Sequence, residues 1–160
     1  MANTYSQIYI QLVFAVKGRA NLITKDHKDE LYKYITGIVR KKGQKLLAIN
    51  GVADHVHMFV GMTPDLAISD MMKEVKRCST NFINEDKNWY RGRFSWQEGF
   101  GAFSYSRSHI DRVVKYIQNQ ESHHKKRAFK EEYISLLKKF EVEYNERYLF
   151  EWIDLDGSEG

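Results

Sequence analysis

The sequence is poor in the residues that staple or punctuate a chain: among 160 positions there is one cysteine, Cys78, and one proline, Pro64. One thiol cannot close an internal disulfide, and no Cys-x-x-Cys pair exists to hold structural zinc, so stability must come from packing. Long apolar runs are missing as well. The longest, Leu12 to Val16, falls far short of the roughly 18 residues a membrane span requires. Met1 to Tyr5 lacks the basic patch and apolar stretch of a secretory signal, so the expected compartment is the cytoplasm. No low-complexity tract or internal repeat breaks the chain. Together these absences exclude a disulfide scaffold, a spanning helix and a solenoid.

What is present is enough for one domain with a real core, expected over residues 1–150, with 151–160 as an acidic, flexible tail. Lys and Arg number 25 against 21 Asp and Glu, a formal charge of +4 with a sequence pI near 9.0. With its acidic end set aside the body is more basic still, which favours a polyanionic partner such as nucleic acid.

Hydropathy patterning gives the order of elements. Ile8, Ile10, Leu12 and Phe14 alternate with Gln7, Tyr9, Gln11 and Val13, the period of a strand with one buried face. Leu31, Tyr34, Ile35, Ile38 and Val39 recur at helical spacing, which predicts a helix over 25–42 closed by Gly43. Leu46 to Ile49 and Val52 to Met62 read as two strands joined at Asn50-Gly51, a pair suited to a tight hairpin turn. Thr63-Pro64-Asp65 looks like the start of a second helix running to about Glu85. Phe94 to Tyr105 reads as a fourth strand bent at Gly99 and Gly101, Ser108 caps a third helix, and Lys130 to Phe140 forms a fourth. The β-α-β-β-α-β order predicts an α+β fold, a ferredoxin-like sandwich with an antiparallel four-stranded sheet, followed by appended C-terminal helices. That architecture hosts many activities, so function must be read from side chains.

Two histidines stand at i and i+2 in Asp54-His55-Val56-His57-Met58-Phe59-Val60, and on a strand both project from one face, close enough to share a cation. In the third helix Ile110, Val113, Val114 and Ile117 make the apolar stripe; Tyr116 borders it, and Gln120, four residues on, falls on the same edge. His123 and His124 are about 100° apart on a helix and cannot both face one ion; they are expected to be structural or to touch nucleic acid. Lys73, Lys76, Arg77 and Ser79 form a basic, hydroxyl-bearing group on the second helix, and Arg91, Arg93 and Arg107 flank the aromatic fourth strand, all as candidates to track a phosphate backbone. Trp89, Tyr90, Phe94, Trp96, Phe100 and Phe103 suit either base stacking or the core, with at least half expected in the core. Cys78 is expected to be a small buried side chain.

His55-Val56-His57, Gly101-Ala102-Phe103-Ser104-Tyr105-Ser106 and Tyr116-Ile117-Gln118-Asn119-Gln120-Glu121-Ser122-His123-His124 together resemble the single-tyrosine HUH transposases of small bacterial insertion sequences. The likeness extends to Lys76-Arg77-Cys78-Ser79 and to Phe129-Lys130-Glu131-Glu132-Tyr133, so it covers nearly the whole chain. Ala53 departs from it, standing where many relatives have proline. The resemblance implies that Tyr116 is the nucleophile and that His55, His57 and Gln120 ligate a divalent metal, Mg²⁺ or Mn²⁺, in a homodimer. It also implies cleavage of single-stranded DNA, at hairpin ends of an element, through a covalent 5′-phosphotyrosine. Tyrosine fits such work because an aryl phosphate conserves the energy of the broken phosphodiester. A phenol's pKa near 10 leaves only about 0.1% ionised at pH 7, which calls for a cation to offset developing charge. No general base is evident in the sequence. The alternatives are a domesticated relative acting on repetitive palindromic DNA, a catalytically silent nucleic-acid-binding module, and a metal-dependent phosphodiesterase that uses water.

Overall fold

The computed structural model describes residues 3–155. Four strands, β1 (Ile8–Ala15), β2 (Lys45–Val52), β3 (His55–Met62) and β4 (Gly101–Tyr105), form one antiparallel sheet in the order β2-β3-β1-β4. With α1 (Lys25–Lys41) after β1 and α2 (Ile68–Asn81) after β3, this is the expected ferredoxin-like α+β sandwich.

The strand pattern sorts residues between two layers. Ile10, Leu12 and Phe14 of β1, with Val56, Met58, Val60 and Met62 of β3, meet Leu31, Ile35 and Val39 of α1 and Met71, Met72 and Val75 of α2 in the main core. The opposite face is covered too. Here α3 (Ile110–Gln118) and α5 (Phe129–Lys139) pack over Val13, Ala15, Phe59 and Phe103, and α4 (Gln120–His124) lies against β2 and His55. β1, expected to bury one face, buries both from Ile10 onward, because the appended helices form a third layer. No helix among the described residues is long and apolar enough to cross a membrane.

Several local readings are corrected. Asn50-Gly51 is not the hairpin turn: both residues lie in β2, pairing with His57 and Val56, and the chain reverses at Ala53-Asp54. Gly51 serves close approach instead, since a Cβ there would sit 2.1 Å from the His55 carbonyl oxygen. Asn50 donates its amide to the Gln118 carbonyl at the end of α3, 3.0 Å away. Thr63-Pro64-Asp65 does not begin the second helix, which starts at Ile68. The Thr63 hydroxyl bonds Asp65 and the Gln44 side chain instead of capping a helix. At its far end α2 widens into a π-helical stretch, Phe82–Lys87.

The fourth strand is shorter than predicted, beginning at Gly101; upstream, only Trp96 bridges to Val16. Tyr32, not Tyr34, fills the α1 stripe, and Tyr34 instead stacks on Phe82 at 4.0 Å. The helix after Ser108 opens with a short 3₁₀ turn, and Ser108 makes no cap bond to its backbone. Of the expected tail, Glu151 to Asp154 is docked: Glu151 exchanges two bonds with the Gln97 side chain, Trp152 packs on Phe129, and the Asp154 carbonyl accepts from Arg19. Residues 156–160 lie outside the described residues.

Candidate active site

β3 places His55 and His57 on the sheet face that α3, α4 and α5 cover, and their ring centroids are 5.0 Å apart. Both are fully buried. Each imidazole is oriented from behind. Asp54 Oδ1 lies 2.7 Å from His55 Nδ1, which makes that nitrogen the N–H donor and leaves Nε2 pointing into the site. The Gln11 amide lies 2.9 Å from His57 Nδ1 and its oxygen accepts from the Tyr105 hydroxyl, so one buried side chain of β1 links ring and phenol. Phe129 stacks on His55 with centroids 3.8 Å apart, fixing the ring plane.

Tyr116 and Gln120 do not lie on one continuous helix. α3 ends at Gln118, Asn119 breaks the geometry, and Gln120 opens α4. Their side chains meet nevertheless, because both donate to Glu132 Oε2, Gln120 Nε2 at 3.2 Å and the Tyr116 hydroxyl in a short hydrogen bond. Gln120 Oε1 lies 3.3 Å from His55 Nε2. All four residues implied for the chemistry are thus brought to one place.

Two further groups complete the cluster, and neither was assigned a chemical role from the sequence. Glu132 Oε1 lies 2.9 Å from His57 Nε2, 3.1 Å from His124 Nε2 and 3.3 Å from His55 Nε2. Ligand atoms of His55, His57, His124 and Glu132 all fall within 4.8 Å of one another. His124, expected to be structural or to touch nucleic acid, faces the site, while its neighbour His123 stacks on Tyr116 at 4.6 Å. The argument that adjacent histidines cannot share an ion holds, but it leaves one of them free to point inward. For Glu132 a signal was available. Phe129, Glu132, Tyr133, Leu136 and Leu137 recur at helical spacing, so its carboxylate stands on an apolar stripe.

Electrostatics follow from this crowding. Burial works against a charged His55, but hydrogen bonds to Asp54 and Glu132 outweigh it and push its pKa up to about 9. His57 is shifted downward, burial prevailing over Glu132. Burial opposes charge on Glu132 as well, yet the imidazoles hold it firmly as a carboxylate. Burial, then the Glu132 charge beside it, raises Tyr116 well above an ordinary phenol. With His55 Nδ1 donating to Asp54, its neutral ring would turn a lone pair on Nε2 toward the oxygens of Glu132 and Gln120. Positive charge is needed between them; a proton supplies part, and a divalent cation supplies more. The mixed N and O donors could hold a divalent cation.

Tyr116 forms part of the wall of two cavities. One of about 250 Å³ is lined by Arg112, Arg127 and Lys139, and one of about 230 Å³ by Lys126, Arg127 and His123. Entry to the phenol is therefore lined by cations. The other basic candidates divide. Lys73 and Arg107 are exposed. Arg77 is also exposed but paired with Glu74 at 2.9 Å. Half-buried Lys76 donates to the carbonyls of Gln97 and Gly99, and burial lowers its pKa to about 8. Ser79 is wholly buried, its hydroxyl accepting from Trp96 Nε1 at 2.9 Å, so it cannot meet a DNA backbone. Phe94, Trp96 and Phe103 are core residues, and Trp89, Tyr90 and Phe100 pack against the core. Cys78 is only half-buried, beside Glu74.

Residues 4–120 match the family model described as "Transposase IS200 like". The chain belongs to the IS200-like transposases. It is 26% identical over 120 residues to the ISDra2 transposase TnpA of Deinococcus radiodurans, an alignment covering 71% of this chain and 84% of that protein. Among solved structures, a transposase from Deinococcus radiodurans superposes with a TM-score of 0.59 at 23% identity, over 75% of this chain and 95% of that one. A REP-associated tyrosine transposase bound to a REP hairpin gives 0.58 at 16% identity, over 78% and 73%. These two show the shared fold. The IS200-like match stops at Gln120, so His124 and Glu132 come from a segment beyond it.

Proposed function

We propose that this IS200-like family member is a metal-dependent single-stranded DNA transposase that cleaves and rejoins the ends of its element through a covalent 5′-phosphotyrosine at Tyr116. The observation that carries the reading is the meeting of the Tyr116 hydroxyl with Gln120, His55 and His57 around one carboxylate, in a site entered between arginines and lysines.

His55, His57 and Gln120 would hold the cation, with Asp54 and Gln11 fixing the two rings. Gln11 can turn its amide by half a rotation to accept from His57 Nδ1–H, which presents the Nε2 lone pair to the site. When bound, the cation offsets charge on the phosphate and on the departing 3′ oxygen. The chain supplies the rest. Glu132 Oε2 aims the phenol by accepting its hydrogen bond, and His123 stacks on the ring and restricts its rotation. As the Tyr116 oxygen bonds to phosphorus, the bond from phosphorus to the 3′ oxygen breaks; the phenol loses its proton and the released 3′ end gains one. Attack by another 3′ hydroxyl reverses the sequence and rejoins strands without ATP. Arg112, Arg127 and Lys139 suit the flanking phosphates, and exposed Lys73 and Arg107 suit more distant ones. The reading carries with it a homodimer, hairpin DNA at the element's ends and a cytoplasmic setting.

The test mixes the protein, with Mn²⁺ or Mg²⁺, with each strand of the DNA flanking its own gene. The expected result is a denaturant-resistant adduct on one strand, mapping to Tyr116 and absent with chelator or with duplex DNA. Tyr116→Phe should bind the same strand and lower adduct formation by more than about 1,000-fold. Tight binding without any adduct would favour the silent nucleic-acid-binding module, and hydrolysis that survives Tyr116→Phe would favour the water-using phosphodiesterase.

A further inference from the structure

The nucleophile and the three metal ligands of the proposed chemistry lie no further along the chain than Gln120, where the family match ends. The chain beyond is built into the same site. α5 lays Phe129 on His55, and Phe150 and Trp152 pack on Phe129 in turn. Gln97 ties this layer to the sheet, its amide donating to the carbonyls of Val16 and Glu151 while its oxygen accepts from Glu151 N–H. The result is a strap across the histidine face, anchored at both ends, with one carboxylate pointing inward.

That carboxylate is hard to explain as structure. Glu132 is 2% exposed, and no lysine or arginine pairs with it in any ion pair the structure shows. A buried carboxylate with only imidazoles to offset its charge is costly unless a strong positive charge is shared among them. Its two oxygens are also divided in use. Oε1 faces the Nε2 atoms of His55, His57 and His124, whereas Oε2 takes the Tyr116 and Gln120 donors. His124 Nε2 lies 3.1 Å from both Glu132 Oε1 and Gln120 Oε1, so its N–H can hold these two oxygens side by side, aimed at the same point.

Resting on the metal-dependent reading above, we propose that Glu132 is a further ligand of the cation held by His55, His57 and Gln120, binding through Oε1 while Oε2 anchors the Tyr116 hydroxyl. The strap is then part of the active centre, and it joins metal and nucleophile through one side chain. A fourth protein ligand still leaves two positions of an octahedral ion for phosphate oxygens or water. His124 is a positioning residue in this scheme.

The test titrates Mn²⁺ into the full chain by calorimetry and records the visible absorption of the Co²⁺-loaded protein, for wild type, Glu132→Gln, Glu132→Asp and His57→Ala. Loss of the carboxylate in Glu132→Gln should weaken Mn²⁺ binding by about 10-fold or more and change the Co²⁺ bands, since the donor set itself changes. Glu132→Asp, which keeps the charge, should bind better than Glu132→Gln. It also carries the test alone if Glu132→Gln fails to fold: altered Co²⁺ bands support the proposal, and bands and affinity equal to wild type overturn it. Wild-type affinity and spectrum in folded Glu132→Gln would overturn the ligand role while leaving the transposase reading intact. A wild-type protein that binds no Mn²⁺, or His57→Ala that binds as wild type does, would instead overturn the metal site and this proposal with it.

Discussion

The two faces of the one sheet are built to opposite rules. Under α1 and α2 every inward residue of β1 and β3 is apolar, with Leu12, Phe14, Val56, Met58 and Val60 wholly buried. On the other face the same strands present Gln11, His55 and His57, equally buried, against Gln120 and Glu132. Because strand side chains alternate, a shift of one residue exchanges the two environments. Apolar burial contributes about 25 cal/mol per Å², whereas each buried polar group costs free energy unless fully bonded. The first face holds the largest apolar cluster without a charge in it, whereas the second sets its charged cluster among apolar groups around Val13, Phe59 and Phe103.

The sharpest way to break that comparison is to damage the apolar face alone. Phe14 is wholly buried and packs edge-on to Trp96 at 4.9 Å. Phe14→Ala should cost about 3 to 5 kcal/mol in a denaturant titration, by loss of transfer energy and opening of a cavity. What survives folded at low temperature should keep its Mn²⁺ affinity. A stability equal to wild type would mean that the helices of the second face carry the fold.

On the polar face the effect to measure is a gain. A cation that binds only the folded chain stabilises it by about 2.7 kcal/mol at 100 times its Kd, a rise of about 5 to 10 °C in melting temperature for a chain this size. Mn²⁺ should produce that rise in wild type and none in His57→Ala, with chelator reversing it. An equal rise in both proteins would place the cation elsewhere and separate the cluster from metal binding.

How far the sequence foretold these two faces differs between them in the same way. The apolar face was legible in β1 and most of α1, because Ile10, Leu12 and Phe14 repeat with the strand's own period and nothing local competes. The antiparallel four-stranded sheet and the sharing of one face by His55 and His57 followed from the order and period of the elements. The polar face was legible in part: spacing paired His55 with His57 and Tyr116 with Gln120, and only the family likeness joined the two pairs. Glu132 follows Glu131 in a charged run, and no local rule says that one of the two turns inward; only its place on the stripe with Phe129, Tyr133 and Leu136 marks it. Asn50-Gly51 misled because a turn pair in isolation carries no sign of the His55 carbonyl that approaches Gly51 or of the α3 end that Asn50 caps. Such contacts join residues far apart in sequence, and local propensity has no access to them.

The smallest test concerns the polar interruption at the edge of the apolar face. Ser79 was a candidate for DNA contact, but its hydroxyl donates to the Val75 carbonyl at 2.6 Å and accepts from Trp96 Nε1, with no exposed surface. Trp96 in turn packs on both Phe14 and Phe94, so this one bond sets the orientation of an indole at the centre of an aromatic group. Ser79→Ala strands a buried N–H and should cost about 1 to 2 kcal/mol in the same titration. Affinity for single-stranded DNA should not change, as read by fluorescence anisotropy at fixed salt. A fall in affinity at unchanged stability would return Ser79 to the DNA surface and mean that α2 moves away from Trp96 when DNA binds.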